Sequence, residues 1–369
     1  MAHSQTTTTV YLCGPIAAPG KPARGGFQSC NRRTIEGLRA QKYEVVPLPY
    51  PEPQSSGVRK AAEYAVLFIR LAGTVATIEQ RSIFHMTGLL KSFVYIELVL
   101  LLLARMRRCF TIYDIRAGSA ERHFESRTFI YRWAFSKIVR SADEVMAENK
   151  ALAPFIKSIR GRDPVIFLNH LDTNKVPERT FGGHVSKVPI IAYAGSIRPE
   201  KGIETILEAS RLLCDVACPV EVKIAGVGPE PFVGHLKDQY STLPVSWLGP
   251  QTPSAVLDIF AASHFFLFPT SHPGEGQSNT LTEAMACGCV PITSDHGFNR
   301  DVVGDCGVVL RPDADAVEYA RALWAIWESG DWSGTSKDAC RRIRDQYSST
   351  KIIADLIEVY ESREAAAHD

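Results

Sequence analysis

Short apolar runs rich in β-branched and aromatic residues alternate along the chain with longer stretches in which apolar residues recur every three or four positions. The runs suit strands buried on both faces, and the longer stretches suit helices covering a sheet. The alternation therefore predicts an α/β fold with largely parallel sheets. In the first half it predicts strands at 10–13, 43–47, 82–85, 109–113, 144–147 and 164–168, with helices between them. In the second half it predicts strands at 190–194, 220–225, 245–248, 265–269 and 290–293, and helices at 203–214, 254–262 and 280–287. The first of these helices puts Ile203, Ile206, Leu207, Leu213 and Cys214 on one face, with Glu204, Glu208 and Arg211 off it, so it packs on a sheet. The stretch 351–360 is amphipathic through Ile353, Leu356, Ile357 and Tyr360, and the tail 365–369 reads as disordered.

A chain of 369 residues exceeds what one core organises, and the segment 174–188 is poor in apolar residues and carries Pro177, Gly182 and Gly183. The expected domains are 1–178 and 189–345, with 346–369 as a terminal helix that crosses back to the first domain. Hydrophobic residues make up 45% of the chain, enough for two cores, and the net charge of +1 gives no reason to expect a nucleic-acid partner. The nine cysteines show no repeated CxxC spacing and no histidines at zinc-like distances, so they read as reduced thiols with no metal. Residues 1–9 are polar and lack the apolar core of a secretory signal, which points to the cytoplasm. The longest apolar run, 93–104, is interrupted by Glu97, followed by Arg105, Arg107 and Arg108, and shorter than the ~20 residues that span a bilayer. It reads as a buried or membrane-touching helix whose basic end can face anionic headgroups at the inner membrane face.

The strongest chemical signal is the stretch from Pro273 to Gly288, in which Glu275 and Glu283 lie eight residues apart across a loop and a helix start. Gly276 lets the backbone approach a ligand closely, and the uncapped N–H groups near Ser278 to Leu281 open a helix and favour a phosphate. Carboxylates at both ends, about 10 Å apart by helical rise, suit sugar and ribose hydroxyls flanking a diphosphate. A second signal is the strand end Ala194-Gly195-Ser196-Ile197-Arg198-Pro199-Glu200-Lys201-Gly202, where Arg198 and Lys201 are placed to neutralise a diphosphate. A third is the loop from Gly14 through Gly25, Gly26 and Ser29, which offers backbone N–H groups to an anion without being GxGxxG. The D-x-D spacing of Asp313 and Asp315 resembles a metal motif, but at the start of a helix these aspartates read as caps.

The segment from Phe268 to Ser294 resembles the donor-site signature of the retaining group-1 glycosyltransferases, marked by E-x7-E. That resemblance implies the GT-B fold, two Rossmann-like doubly wound domains facing a cleft, with the acceptor on the first domain and a nucleotide-diphosphate sugar, such as a UDP-sugar, on the second. It makes Glu275, Arg198 and Lys201 catalytic, Glu275 holding hydroxyls of the transferred sugar. Glu283, Gly276, Gln277, Ser278, Gly195, Gly25 and Gly26 would bind the donor, Glu283 through the ribose hydroxyls. Where many family members have a histidine on the donor sugar, this chain has Asp114, and His85, Asp114 and Arg116 are the expected contacts to acceptor or sugar. The implied activity is metal-independent and cofactor-free transfer with retention, in cell-surface polysaccharide assembly, to a saccharide acceptor that is free or lipid-linked, with peripheral membrane contact. A nucleotide-sugar epimerase or a non-catalytic nucleotide-sugar-binding subunit would use the same pocket, and the sequence leaves the base, the sugar and the acceptor open.

Overall fold

A computed structural model describes residues 8–18, 23, 25–52, 56–179 and 188–366. Most of the segment read as a linker, residues 180–187, lies outside the described residues, as do Arg24 and the end of the tail, 367–369. The chain divides into two compact units, one running to His170 and resuming at Ser349, the other spanning Leu171–Ser348.

The first unit contains β1 (Val10–Gly14), α1 (Gly25–Ala40), β2 (Val45–Pro49), α2 (Gly57–Val75), β3 (Ile83–Gly88), α3 (Val94–Met106), β4 (Phe110–Ile115), α4 (Ala120–Glu125), α5 (Phe129–Ser141), β5 (Glu144–Ala147), α6 (Ala153–Arg160) and β6 (Val165–Ile166). The second contains β7 (Ile190–Ala194), α7 (Ile203–Asp215), β8 (Glu221–Ala225), α8 (Glu230–Gln239), β9 (Val245–Gly249), α9 (Pro253–Ala261), β10 (Phe265–Phe268), α10 (Asn279–Ala286), β11 (Val290–Ser294), α11 (Asn299–Val303), β12 (Val308–Leu310), α12 (Ala316–Glu328) and α13 (Trp332–Gln346). The last helix, α14 (Ser349–Ala366), belongs to the first unit.

Every strand pair is parallel, in the orders β2-β1-β3-β4-β5-β6 and β12-β11-β10-β7-β8-β9. Parallel pairing needs crossovers, and right-handed crossovers in both directions from a central strand put helices on both faces of each sheet. The strands expected at 82–85 and 109–113 run on to Gly88 and Ile115, so His85 sits in mid-strand and not at a strand end, a correction to the sequence reading. The strand expected at 164–168 shrinks to two residues, and β12 was not anticipated.

The core of the first unit closes through α14. Ile352, Ile353, Leu356 and Tyr360 are buried with Val10, Leu12, Ile35, Leu38 and Ile112. Gly37 on α1 makes this possible, because a Cβ there would lie 2.6 Å from Ile353 Cγ1. On the other side, α2, α3, α5 and α6 pack in succession.

Within that layer α3 carries a buried acid. Glu97 Oε1 accepts the Leu89 N–H at 2.7 Å and the Tyr50 hydroxyl at 3.4 Å, while Oε2 accepts the Tyr113 hydroxyl at 2.7 Å. The turn it holds is strained, with Leu90 at φ 59° and Lys91 at φ 52°. Burial raises the Glu97 carboxyl from its ordinary 4.5 to about 7 even though those hydrogen bonds oppose the shift. The folded state therefore holds a proton that the unfolded chain has lost, and stability falls as pH rises from 4.5 through about 7. Glu97→Gln keeps the acceptor for Leu89 and removes the titration. Its stability relative to the parent should rise by about 3 kcal/mol between pH 4.5 and 8, read by urea denaturation at several pH values. A constant gap across that range would contradict this account.

Candidate functional site

Strand order in the second unit reverses between β7 and β10, its central pair. From β7 the chain moves toward β8 and β9, while β11 and β12 lie beyond β10, so the loops leaving β7 and β10 diverge. In open parallel sheets this is where a crevice forms at the carboxyl ends of the strands. The residues singled out in the sequence around Lys201 and Glu275 leave from these two strands.

The loop after β7 ends in a 3-10 turn at Pro199–Lys201. Its Lys201 Nζ meets Glu275 Oε2 at 2.5 Å, and both side chains are largely buried, with 17% and 11% of their surface exposed. Thr270 at the end of β10 donates its hydroxyl to the same carboxylate oxygen at 3.1 Å, and the Ser271 N–H returns to Glu200 O at 2.9 Å. The Lys201 ammonium also sits 5.7 Å from the centre of the Phe268 ring. The two loops are thus tied by a charge-assisted bond in a half-buried setting, where such a bond is stronger than one at the surface. Burial, followed by the Lys201 charge, holds neighbouring His272 below its ordinary range. Arg198 stands apart, 59% exposed, with Glu200 Oε1 at 3.8 Å.

From Glu275 the chain passes Gly276 and the buried Gln277 to Ser278, which caps α10 by accepting the Leu281 N–H at 3.3 Å. This cap fixes the helix start while the preceding loop is braced from the loop after β11: the Phe298 N–H donates to Gly276 O at 3.3 Å, and His296 Nε2 lies 2.7 Å from His272 O. Glu283 is half-buried at the fifth position of α10. The apolar face through Leu281, Ala284 and Met285 seats the helix in the core. The unit therefore brings together Lys201, Glu275 and the start of α10, with Glu283 further along that helix.

A second glycine loop was missed. At the end of β8 the sequence Gly226-Val227-Gly228 lies against the loop after β7, with Gly195 N–H donating to Ala225 O at 3.0 Å and Ile197 N–H to Val227 O at 2.8 Å. A Cβ at Gly226 would sit 1.8 Å from Gly195 O, and one at Gly228 would sit 2.1 Å from Ile197 O. A Gly-x-Gly directly after an apolar run was the available signal. Of the two aspartates of the D-x-D spacing, Asp315 accepts the Glu318 N–H at 3.0 Å and donates its own N–H to Glu318 at 3.1 Å, a reciprocal cap of α12, while Asp313 is exposed and lies 3.6 Å from Arg311.

The first unit departs more from expectation. The loop read as running through Ser29 gives way to helix at Gly25, so Gly25 and Gly26 form the exposed first turn of α1, with Gly25 at φ 80°. His85, Asp114 and Arg116, expected as contacts to acceptor or sugar, are all buried and find partners in the protein. His85 Nδ1 meets the Tyr360 hydroxyl at 2.7 Å and its Nε2 lies 3.6 Å from Asp114 Oδ2, which also pairs with Arg116 Nε. Arg116 donates to Asn169 Oδ1 at 2.6 Å, leaving Asp114 Oδ1 and Arg116 Nη2 without a hydrogen-bond partner among the described residues. Burial alone would raise the Asp114 carboxyl, but the Arg116 charge and the His85 contact outweigh it and hold it below the carboxylate range. The three are bound to one another and to the protein, with those two buried polar atoms still unpaired among the described residues. Tyr360 and Asn169 are far away in sequence, so no local pattern marked them.

Residues 188–329, a stretch within the second unit, match the family model of the group 1 glycosyl transferases. A GDP-mannose-dependent alpha-mannosyltransferase of Mycolicibacterium smegmatis is 31% identical over 135 residues, 36% of this chain and 32% of that protein, so the match spans about a third of that relative. An uncharacterized glycosyltransferase of Methanocaldococcus jannaschii is 21% identical over 362 residues, 94% of this chain and 89% of its own. Among solved structures, sucrose-phosphate synthase from Thermosynechococcus elongatus superposes with a TM-score of 0.77 at 16% identity, covering 97% of this chain and all of that one. Anabaena HepE in complex with UDP-glucose gives 0.70 at 16% identity, covering 96% of this chain and all of its own. With the two parallel six-stranded sheets, these likenesses establish the GT-B fold expected from the sequence.

The glycine packing is directly testable. Gly226→Ala should cost the protein about 2 kcal/mol or more through the clash with Gly195. Gly234→Ala, in α8 with nothing within 4 Å of the added carbon, should gain about 0.5 kcal/mol. Thermal unfolding of the two variants beside the parent would decide it; equal midpoints would show that the two loops do not pack as described.

Proposed function

We propose that this chain is a retaining glycosyltransferase that moves a sugar from a nucleoside diphosphate to a saccharide acceptor without a metal ion. The observation that carries the reading is the Lys201–Glu275 pair at the carboxyl ends of β7 and β10, beside the start of α10. Transfer breaks the bond between the anomeric carbon and the diphosphate through an oxocarbenium-like state, so the site must stabilise a departing diphosphate and a positive ring. In this reading Lys201 and Arg198 meet the diphosphate, helped by the N–H groups at the start of α10. Gly195, Gly276, Gln277 and Ser278 let the backbone approach it. Glu275 holds hydroxyls of the sugar, and Glu283 holds the ribose.

The acceptor hydroxyl attacks the face that the diphosphate leaves, its oxygen bonding to the anomeric carbon while its proton passes to the departing phosphate oxygen, so the configuration is retained. The first unit takes the acceptor. Cell-surface polysaccharide assembly on the cytoplasmic side of a membrane, with a lipid-linked acceptor, is the setting we favour. The M. smegmatis relative is described with GDP-mannose and the Anabaena structure holds UDP-glucose, so both bases are candidates here.

Calorimetry with UDP, GDP and ADP in chelator tests the donor site. One of the three should bind in preference, and Glu283→Ala should weaken it by at least tenfold, about 1.4 kcal/mol. Glu275→Ala and Lys201→Ala should lower transfer by about a hundredfold or more. No binding of any nucleotide by the parent would remove the reading, and an inverted product by NMR would remove retention. Nucleotide released without an acceptor, with the sugar converted to its epimer, would favour the isomerase chemistry instead.

A further inference from the structure

We propose that the outer face of α3 and α5 in the first unit docks on an anionic lipid bilayer, Phe129, Ile130 and Trp133 entering its interfacial region. This goes beyond the proposed transfer chemistry and stands without it. The sequence reading placed membrane contact at the basic end of the run 93–104. In the structure two of the three arginines there are engaged: Arg105 Nη1 meets Asp143 Oδ1 at 2.9 Å, and Arg107 donates to Ile78 O at 3.0 Å. The stronger feature is α5.

Thr128 caps α5 by accepting the Tyr131 N–H at 3.4 Å, and Tyr131, Ala134, Phe135, Ile138 and Val139 face the core. Its exposed positions are Phe129, Ile130, Arg132, Trp133, Lys137 and Arg140, all apolar or basic. Phe129, Ile130 and Trp133 are 75%, 64% and 54% exposed, an unusual display of large apolar groups on one helix. The neighbouring α3 adds Tyr95, Val99, Leu102 and Met106, spaced as a single helical stripe, again with no exposed acid. The two helices pack side by side, so the stripes lie in one helix layer. The nearest exposed acids before α5 are Glu121 and Glu125 on α4, and Asp143 after it is half-buried and engaged by Arg105.

Charge decides the occupant. A protein-binding core is depleted in lysine and in charge, whereas here Arg132, Lys137 and Arg140 share one helix with three large exposed apolar groups. Helices that lie in a bilayer interface carry this pattern, with tryptophan at headgroup level and lysine and arginine on the phosphates. A groove of 540 Å³ beside Trp133 sets Phe124 and Phe129 with Arg132, Lys137 and Arg140, combining apolar walls with cations, of which Arg140 also donates its Nε–H to Ile159 O at 2.8 Å. Among the described residues no helix is long and apolar enough to cross a membrane, so contact through this face would be peripheral.

Flotation of the full chain with phosphatidylglycerol–phosphatidylcholine vesicles, and with phosphatidylcholine alone, tests the proposal. The parent should float with the anionic vesicles at least tenfold more than with the neutral ones, and less as salt rises. Tryptophan fluorescence should shift to the blue on mixing. Phe129→Gln, Ile130→Gln and Trp133→Gln together, with an unchanged thermal midpoint, should abolish flotation. Arg132→Gln with Lys137→Gln should abolish the preference for anionic lipid. Absence of flotation by the parent, or flotation undiminished in the triple variant, would overturn the proposal. So would a dimer in sedimentation equilibrium that the triple variant dissolves, since the face would then join two copies of the chain.

Discussion

Everything the second unit does depends on one constraint, the reversal of strand order between β7 and β10. A parallel sheet can grow from its first strand in both directions, and right-handed crossovers then send the two central loops to opposite faces. The ion pair of Lys201 and Glu275 joins the two loops, and Gly226 and Gly228 keep the loop after β8 close enough to hold the loop after β7 in place. Had Lys201 and Glu275 been placed at the other ends of these strands, they would face the turns that join helix to strand, and α10 would offer carbonyls where it now offers N–H groups.

The first unit has the same class of sheet but distributes its polarity differently. It buries Glu97, His85, Asp114 and Arg116 and exposes Phe129, Ile130 and Trp133. Burying charge costs several kcal/mol per ion unless partners satisfy it, and the partners here come from distant parts of the chain: Tyr360 from α14, Asn169 from beyond β6, and Tyr50 and Tyr113 around Glu97. Such a network resists single substitutions, because removing one member leaves another buried and uncompensated. It also ties α14 to the sheet through a hydrogen bond as well as through its apolar face.

How much of this could be read from the sequence follows from the range of the interactions. The strands at Ile190–Ala194 and Glu144–Ala147 are short apolar runs between polar boundaries, and the period alone marks them. Lys201, Glu275 and Glu283 stand out because their spacing within two short segments is itself the pattern. For His85 and Glu97 spacing says less, because the partners that meet them in the fold, Tyr360 and Tyr50, lie tens to hundreds of residues away. Polar residues inside β3 and β4 made those strands look shorter than they are, since Thr87 and Asp114 look like boundaries until Asn31 and Arg116 are seen to satisfy them. The same blindness hid α5: its apolar positions look like core positions in a periodicity argument, and only the fold tells which of them face solvent.

The family match covers 188–329, the segment that holds Lys201, Glu275 and Glu283, and leaves the first unit to likeness of fold. A physical reason fits this division. Under the proposed reading the second unit meets a ribose and a diphosphate, groups common to every nucleotide sugar, and a fixed pair of loops with one helix start serves them all. An acceptor and a membrane have no such common denominator. The surfaces that meet them are set by which side chains the first unit turns outward, and two chains sharing its sheet and helices can differ at each of those positions without loss of stability, because an exposed side chain contributes little to the core. Under the proposed docking, the membrane contact of this chain rests on residues such as Phe129, Trp133 and Arg132, which the fold leaves free to vary.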